Sequence, residues 1–339
     1  MKAFLMYRDR DFDTQARPPV NKQALVQDLE LGTLFNAMAR DDGFLLGVAG
    51  KAVLTGADTS DTILYRQAIL NDCLKNPTVV RDIYTIAVDA IQGEKKAYWG
   101  GAFSKYPDSI LSRGIAVLGL FVGMLKRLRV VVDAHAGEFE SEGFTTLFAS
   151  LQTEVSDEYL AIVQSYLTEL TFRDGVLISA ELGQGLKGAD YTLRKPNRKQ
   201  GWRERIFGDG RPGYTIYIDD RDDNGAKAQS ELRNRGITLA ANALAQSTDH
   251  ILSFFTLLRL ELAFYIGCLN LHEQLAQLDE PVCFPVQTDS ATRRHSFKGL
   301  YDISLALTMK HKVVGNDVDA DNKNVVIITG ANQGGNAPA

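Results

Sequence analysis

The strongest chemical pattern in the chain is the glycine-rich segment at 325–339, VVIITGANQGGNAPA. A β-branched apolar run followed by Gly330 and Gly335 is typical of a phosphate-binding loop, whose backbone N–H groups surround phosphate oxygens. In an active loop a Lys then contacts the β- and γ-phosphates, and a Ser or Thr holds Mg²⁺. Here those positions are occupied by Asn336 and Ala337. We therefore expect this chain alone to hydrolyse no ATP.

A second chemical pattern is the basic segment at 194–211, RKPNRKQGWRERIFGDGR. Its seven Lys and Arg residues face only Glu204 and Asp209, which leaves five positive charges in excess. Such a segment could bind nucleic-acid phosphates and stack aromatic rings on bases, and a solvated surface hairpin is equally compatible with it. The candidate DNA contacts are Arg194, Lys195, Arg198, Lys199, Trp202, Arg203 and Arg205.

Other chemistry is not indicated. The five histidines show no spacing typical of metal ligands, and no nucleophile, base or metal constellation is evident, so we predict neither catalytic nor metal residues. The three cysteines, Cys73, Cys268 and Cys283, form no C-x-x-C pair, and we expect each to be a small apolar residue in a reducing compartment.

Composition indicates a globular protein. The chain has 339 residues, 45% of them hydrophobic, and a net charge of −5, which argues against general nucleic-acid binding but not against a local basic patch. The N-terminus becomes charged too early for a secretory signal, so we expect a cytoplasmic protein. An apolar stretch at 253–271 contains Arg259 and Glu261 near its centre, which favours a buried core helix over a membrane span.

Apolar residues at helical spacing, bounded by capping residues and prolines, predict a mainly α-helical chain. Strands are not expected before residue 173. The predicted helices cover 22–40, 62–74, 78–92, 109–135, 139–153 and 156–172.

The second half of the chain changes character twice. Short β-like runs at 176–182, 190–193 and 214–218 predict a small sheet inserted between helices, with the basic segment between its later strands. A helix is then predicted from Gly225 to about Leu278, either broken at 247–249 or continuous as a rod of roughly 80 Å. The C-terminal region predicts the first strands of an α/β nucleotide-binding domain, at 300–303, 312–317 and 325–329.

The last part of the chain resembles the entry to the ATPase domain of the MutS family of DNA mismatch repair proteins. That family has an Asn-Asp pair, a hairpin, a strand and then T-G-x-N-x-G-G-K-S-T, and TGANQGGN at 329–336 matches until its final Asn. Upstream, YRQAILNDCLKNP at 65–77 and the long helices resemble the family's helical core and lever domain. The resemblance covers roughly 55–339.

The resemblance implies several roles. Intact family members bind ATP and Mg²⁺, dimerise through the ATPase domain and grip DNA with a clamp between the lever helices, where the basic segment falls here. This chain itself is expected to hold no cofactor. The family's mismatch-reading Phe-x-Glu wedge is matched neither at Phe139 nor at Phe144, which indicates a MutS-like paralogue. The nucleotide-binding residues implied as a remnant are Asn316, Asp317, Gly330, Asn332, Gly334 and Gly335.

These observations predict three regions. Residues 1–54 form an N-terminal segment, 55–290 a helical core with a pair of long lever helices and an insertion at 173–223, and 291–339 a truncated start of the ATPase domain. The interpretation is the core and lever of an ATP-dependent, DNA-binding protein of mismatch repair or recombination, without a membrane span and not catalytically competent in this chain. The alternative is a helical protein–protein interaction module that does not bind DNA.

Overall fold

The computed structural model describes residues 1–57, 59–99, 106–173, 175–184, 188–194, 217–219 and 221–327. Within these ranges the chain forms ten α-helices and two antiparallel two-stranded sheets, which confirms the prediction of a mainly helical protein with a small inserted sheet. The helices are α1 Lys22–Asp28, α2 Leu31–Ala39, α3 Gly43–Thr55, α4 Ser60–Lys75, α5 Pro77–Trp99, α6 Pro107–His135, α7 Glu142–Glu154, α8 Asp157–Glu169, α9 Asp223–Gln277 and α10 Ile303–Met309. The strands are β1 Leu177–Leu182, β2 Gly188–Arg194, β3 Ser296–Leu300 and β4 Asn316–Asp319.

Local chemistry explains where helices begin. The Asp42 side chain accepts a hydrogen bond from Phe44 N at 2.7 Å ahead of α3, and Thr59 Oγ1 accepts one from Thr62 N at 3.2 Å ahead of α4. Each cap satisfies an N–H group that has no partner inside its helix. Pro77 begins α5, a position where a backbone N–H would have no helical partner anyway.

The prediction of one continuous helix at 22–40 is wrong. The region 22–40 is divided into α1 and α2 because Glu30 adopts a left-handed conformation with φ of 47°. The stretch that follows, for which no helix is predicted, forms α3. Its three glycines lower its intrinsic helix propensity, and packing on α2 compensates, since a Cβ at Gly50 would lie 3.7 Å from the ring of Phe35.

The longest helix, α9, is continuous over 55 residues, so a break at 247–249 is wrong. Ser247 Oγ donates to Ala243 O at 2.9 Å, and Thr248 Oγ1 donates to Leu244 O at 2.8 Å. Because both hydroxyls bond back to the preceding turn, they do not compete with the helical hydrogen bonds that follow.

The helix α9 is the one helix among the described residues that is long and apolar enough to cross a membrane, and half of its most apolar window is buried inside the protein. On the same helix, Glu261 is fully buried and accepts three backbone hydrogen bonds. A core helix explains this arrangement, because a carboxylate facing lipid would lack such partners.

The chain divides into two compact units, each built from several stretches of sequence. Unit 1 comprises Met1–Ala3, Thr78–Phe139 and Phe144–Arg259. Unit 2 comprises Phe4–Pro77, Glu140–Gly143 and Leu260–Ala339.

Unit 1 is organised around α6 and the first part of α9. The rings of Phe121 and Phe255 have centroids 5.8 Å apart, and Gly114 allows close approach, since a Cβ there would lie 3.2 Å from Leu244. A second aromatic cluster joins three buried rings with centroid distances of 4.6 to 5.5 Å, those of Phe139, Phe144 and Phe148.

Unit 2 packs α2 and α3 against the end of α9. A cluster of three buried residues lies under the partly buried Phe264 and Leu271, and its members are Phe35, Met38 and Ala49. Of the cysteines in this unit, Cys73 is buried as expected, whereas Cys283 is exposed because it lies in the irregular stretch after α9.

The strands near the C-terminus differ from the prediction. The strand β3 pairs antiparallel with β4 and ends at Leu300, and Ile303 begins a helix, so a strand at 300–303 is wrong. The strand predicted at 312–317 begins only at Asn316, because its pairing with β3 starts there.

Two other predicted strands fall partly on described residues. Of the strand predicted at 325–329, residues 325–327 belong to no strand and are exposed, and the rest lies outside the described residues. Of the strand predicted at 214–218, the two described residues are in no strand.

Candidate nucleic-acid and nucleotide sites

The β1–β2 hairpin is the element that carries the basic segment. Its register pairs Leu177 with Arg194, with an irregularity between Ser179 and Glu181. Arg194 ends β2, and its Nε donates to Ser179 Oγ across the hairpin at 2.9 Å. The hairpin therefore fixes the residue from which the basic segment continues in sequence.

Apolar packing holds this hairpin within unit 1. Ile178 lies so close to Gly236 of α9 that a side chain on that glycine would collide with it. Leu193 packs against a cluster of three buried residues from α6 and α9, namely Leu111, Ile237 and Ala241. The base of the hairpin is thus fastened to these two helices.

Two cations of α9, close in sequence to Gly236, have partners in unit 1. Arg233 forms an ion pair with Asp108, Nη2 to Oδ1 at 2.9 Å, and the guanidinium of Arg235 lies 5.7 Å from the ring centroid of Tyr191. Of the predicted DNA contacts, the structure places Arg194, which is exposed. The others lie outside the described residues: Lys195, Arg198, Lys199, Trp202, Arg203 and Arg205.

The predicted nucleotide residues are also placed in part. Asn316 and Asp317 begin β4 and are exposed, and Asp317 Oδ1 accepts a hydrogen bond from Gly299 N at 2.6 Å. That bond ties β4 to the end of β3, which gives Asp317 a structural task. The glycine-loop residues lie outside the described residues: Gly330, Asn332, Gly334 and Gly335.

The described residues offer no alternative metal centre. No group of three or more His, Cys, Asp or Glu side chains among them is suited to hold a metal ion. The remnant nucleotide-binding residues do not fit Mg-ATP, because the Asp317 carboxylate bonds to backbone and positions 336 and 337 carry an amide and a methyl group.

An apolar cavity of about 450 Å³ lies in unit 1 between α6, α8, α9 and β2. Its walls are mostly aliphatic, and Arg194 and Glu169 are the charged residues that line it. At this cavity, two lining side chains of α8 are about half exposed: Tyr159 and Tyr166. Such a volume and lining are typical of sites that take an apolar group.

Glu261, in unit 2, is an acidic group in an unusual environment. Its Oε2 accepts hydrogen bonds from Leu5 N and from Met6 N, the latter at 3.2 Å, and its Oε1 accepts one from Phe12 N at 3.1 Å. Burial raises the pKa of Glu261 to about 7, and the three N–H donors offset only part of that rise. A charged residue inside an apolar helix is the sequence signal for this site, but its partners are 249 to 256 positions away.

The raised pKa of Glu261 predicts a pH-dependent stability. Because the folded-state pKa of about 7 exceeds the ordinary 4.5, the stabilising contribution is fully present below about pH 4.5 and is lost as pH rises through 7. The free energy of unfolding should fall by about 3 kcal/mol across this window. Urea unfolding at a series of pH values across the window measures it, and Glu261→Gln should remove this fall. Parallel pH curves for the two proteins would contradict the assignment.

The chain combines a mainly helical body, one helix of 55 residues and, before that helix, a hairpin from which a basic segment continues in sequence. The chain matches the protein-family model described as MutS2 N-terminal domain over residues 58–278, about two thirds of its length, and it therefore belongs to the MutS2 family. Comparisons with curated proteins and with solved structures give no match.

The family match covers the helical body of the chain and not its C-terminal glycines. Residues 58–278 contain α4 to α9 and the hairpin, and they end before the glycine-rich segment at 325–339. Membership therefore rests on the helical body, whereas the sequence resemblance is strongest in the C-terminal glycines. The more specific interpretation as a mismatch repair paralogue goes beyond this match.

Proposed function

We propose that this chain is the helical core and lever of a MutS2-family protein that associates with DNA during repair or recombination, and that the basic segment at 194–211 grips the DNA. The observation that supports the proposal is the fastening of the β1–β2 hairpin to α6 and α9. A basic segment that starts from a hairpin held by Leu193 and Ile178 is presented from a firm base.

Nucleotide coupling is part of the proposal for the intact protein. In it, α9 transmits the state of an ATP- and Mg-binding domain to the DNA-gripping end, and that domain also forms the dimer. At about 1.5 Å per residue, the 55 residues of α9 span roughly 80 Å, which is long enough for such a lever. This chain takes part as the mechanical element and contributes no catalytic residue.

Charge reversal in the basic segment tests DNA binding. The double variant Arg203→Glu, Arg205→Glu should bind duplex and branched DNA at least tenfold more weakly at low salt, because each lost phosphate contact removes one released counterion. The slope of log K against log salt should also fall by about 2. Fluorescence anisotropy with labelled DNA measures both quantities.

A matched control separates a specific contact from net charge. Lys95 and Lys96 are neighbouring exposed cations on α5, and reversing both changes the total charge by the same amount. Their variant should keep its DNA affinity within about twofold, because it removes no phosphate contact. Equal loss in both double variants, or no loss in the first, would remove the basic segment from the DNA site.

A protein–protein interaction module is the second candidate function. The observation that favours it is the pair of half-exposed rings, Tyr159 and Tyr166, that line the 450 Å³ cavity, since clustered exposed apolar side chains mark interaction surfaces. Unchanged DNA affinity in the Arg203 and Arg205 variant, together with loss of a protein partner on Tyr159→Asp, would favour this function over DNA binding.

A further inference from the structure

Residues 4–12 lie in unit 2 as an irregular segment whose backbone is held by side chains of α4 and α9. From α4, Tyr65 Oη donates to Phe4 O at 2.8 Å, and Arg66 Nε donates to Met6 O at 2.8 Å. Because the segment forms no helix or strand, its carbonyl groups need hydrogen-bond donors from elsewhere, and these two side chains provide them.

The contacts from α9 complete the set. Tyr265 Oη donates to Leu5 O at 2.6 Å, and the Glu261 carboxylate accepts the N–H groups of Leu5, Met6 and Phe12. Six hydrogen bonds thus reach the segment's main chain from four side chains of the two helices.

The same segment inserts apolar side chains. Leu5 and Met6 are 0% exposed, and Phe12 is 4% exposed. The guanidinium of Arg66 lies 4.5 Å from the ring centroid of Tyr7, which adds a cation–π contact. Main-chain hydrogen bonds combined with pockets for particular side chains are a usual way in which proteins recognise an extended peptide.

The connection from this segment to α1 is long and mostly exposed. Residues 13–20 form no helix or strand, and Lys51 Nζ donates to Ala16 O within them. Eight residues can reach about 28 Å when extended, which is long for a connection within one copy. Phe4 also has a positive φ of 49°, an unfavourable conformation that release of the segment would relieve.

We propose that the surface of α4 and α9 formed by Tyr65, Arg66, Glu261 and Tyr265 is a receptor for an extended peptide, and that residues 4–12 of a second copy of this chain can fill it by segment exchange. We choose residues 4–12 as the bound peptide because this segment makes the observed contacts with the surface, and every copy of the chain carries it. Exchange preserves all six hydrogen bonds and changes only which copy supplies the main chain.

The first experiment tests the receptor in the full chain. Leu5→Asp with Met6→Asp weakens docking of the chain's own segment, and a labelled peptide of residues 4–12 with the natural sequence is then added. We expect saturable binding by fluorescence anisotropy, roughly fivefold weaker after Tyr265→Phe, which removes a single hydrogen bond. The natural chain, whose receptor is filled, and a peptide with the same two Asp substitutions are controls that should show no binding.

The second experiment tests exchange between intact chains. Deleting residues 14–17 shortens the reach of the connection from about 28 Å to about 14 Å, which hinders docking within one copy and leaves docking between copies open. Light scattering should show a shift from monomer towards dimer at micromolar concentration. Adding Leu5→Asp and Met6→Asp to the deletion should abolish the dimer.

Four outcomes would overturn the proposal. The double Asp variant could lose its helical circular dichroism, which would make the segment an inseparable part of the core. It could stay folded and fail to bind the peptide. The deletion variant could remain a folded monomer, or dimerise equally well with the Asp substitutions.

Discussion

Replacing Glu261 with Ala is expected to lower the free energy of unfolding by about 4 kcal/mol, because each buried N–H group that loses its partner costs about 1–3 kcal/mol. The substitution leaves the N–H groups of Leu5, Met6 and Phe12 without their acceptor, in a site where Glu261 is 0% exposed. Urea unfolding followed by circular dichroism measures the loss. The measurement belongs well below pH 7, where the contribution of Glu261 is largely present because its pKa is raised to about 7.

Two further variants serve as controls for the size of this effect. Glu231 lies exposed on the same helix, so Glu231→Ala should change stability by less than about 0.5 kcal/mol. Glu261→Gln should fall between them, because its oxygen can accept from one side while its NH₂ group meets a donor on the other. A loss below about 1 kcal/mol for Glu261→Ala would show that water replaces the carboxylate as acceptor.

The second large effect is expected at Phe144. Its side chain is 0% exposed, and its ring centroid lies 4.6 Å from that of Phe139 and 5.5 Å from that of Phe148. Phe144→Ala should therefore lower the free energy of unfolding by about 3–5 kcal/mol through lost burial and a cavity, as measured by urea unfolding. Tyr217, which is 92% exposed, provides the control, and Tyr217→Ala should change stability by less than about 0.5 kcal/mol.

This variant also bears on how DNA is recognised. An aromatic wedge must reach the bases, and both Phe139 and Phe144 are buried. Loss of stability in Phe144→Ala, with DNA affinity unchanged below the unfolding transition, is the result expected of a core residue. A stable variant with weakened DNA binding would instead mark an aromatic contact to DNA.

The helical elements could largely be predicted because their signals are local. Pro77, the cap at Thr59 and apolar spacing each act within a few residues. The errors occur where distant packing or backbone geometry decides: α3 forms in spite of its glycines, and Glu30 interrupts a regular apolar pattern by its left-handed φ. The continuity of α9 at Ser247 does not follow from residue type, since the same hydroxyl can end a helix or bond back to it.

Some candidate sites could be predicted from the sequence, whereas one required the tertiary structure. The chemistry of the segments at 194–211 and 325–339 is visible in the sequence, but within the described residues they contribute only Arg194 and three apolar residues at 325–327. The site of Glu261, by contrast, is fully described by the structure but is only partly indicated by the sequence. Its charge inside an apolar helix indicates a special environment, whereas its partners at Leu5 and Phe12 follow only from the tertiary structure.

The pairing of Leu5 with Glu261 also sets an order of events during protein synthesis. These residues are 256 positions apart, and at 5–20 residues per second the ribosome needs roughly 13–50 s to make the chain between them. For that time Leu5 and Met6 are without the helix that later buries them. Unit 2 combines Phe4–Pro77 with Leu260–Ala339, so it is expected to close late in translation. Leu5 and Met6 are therefore accessible to a chaperone until Glu261 and its helix have been made.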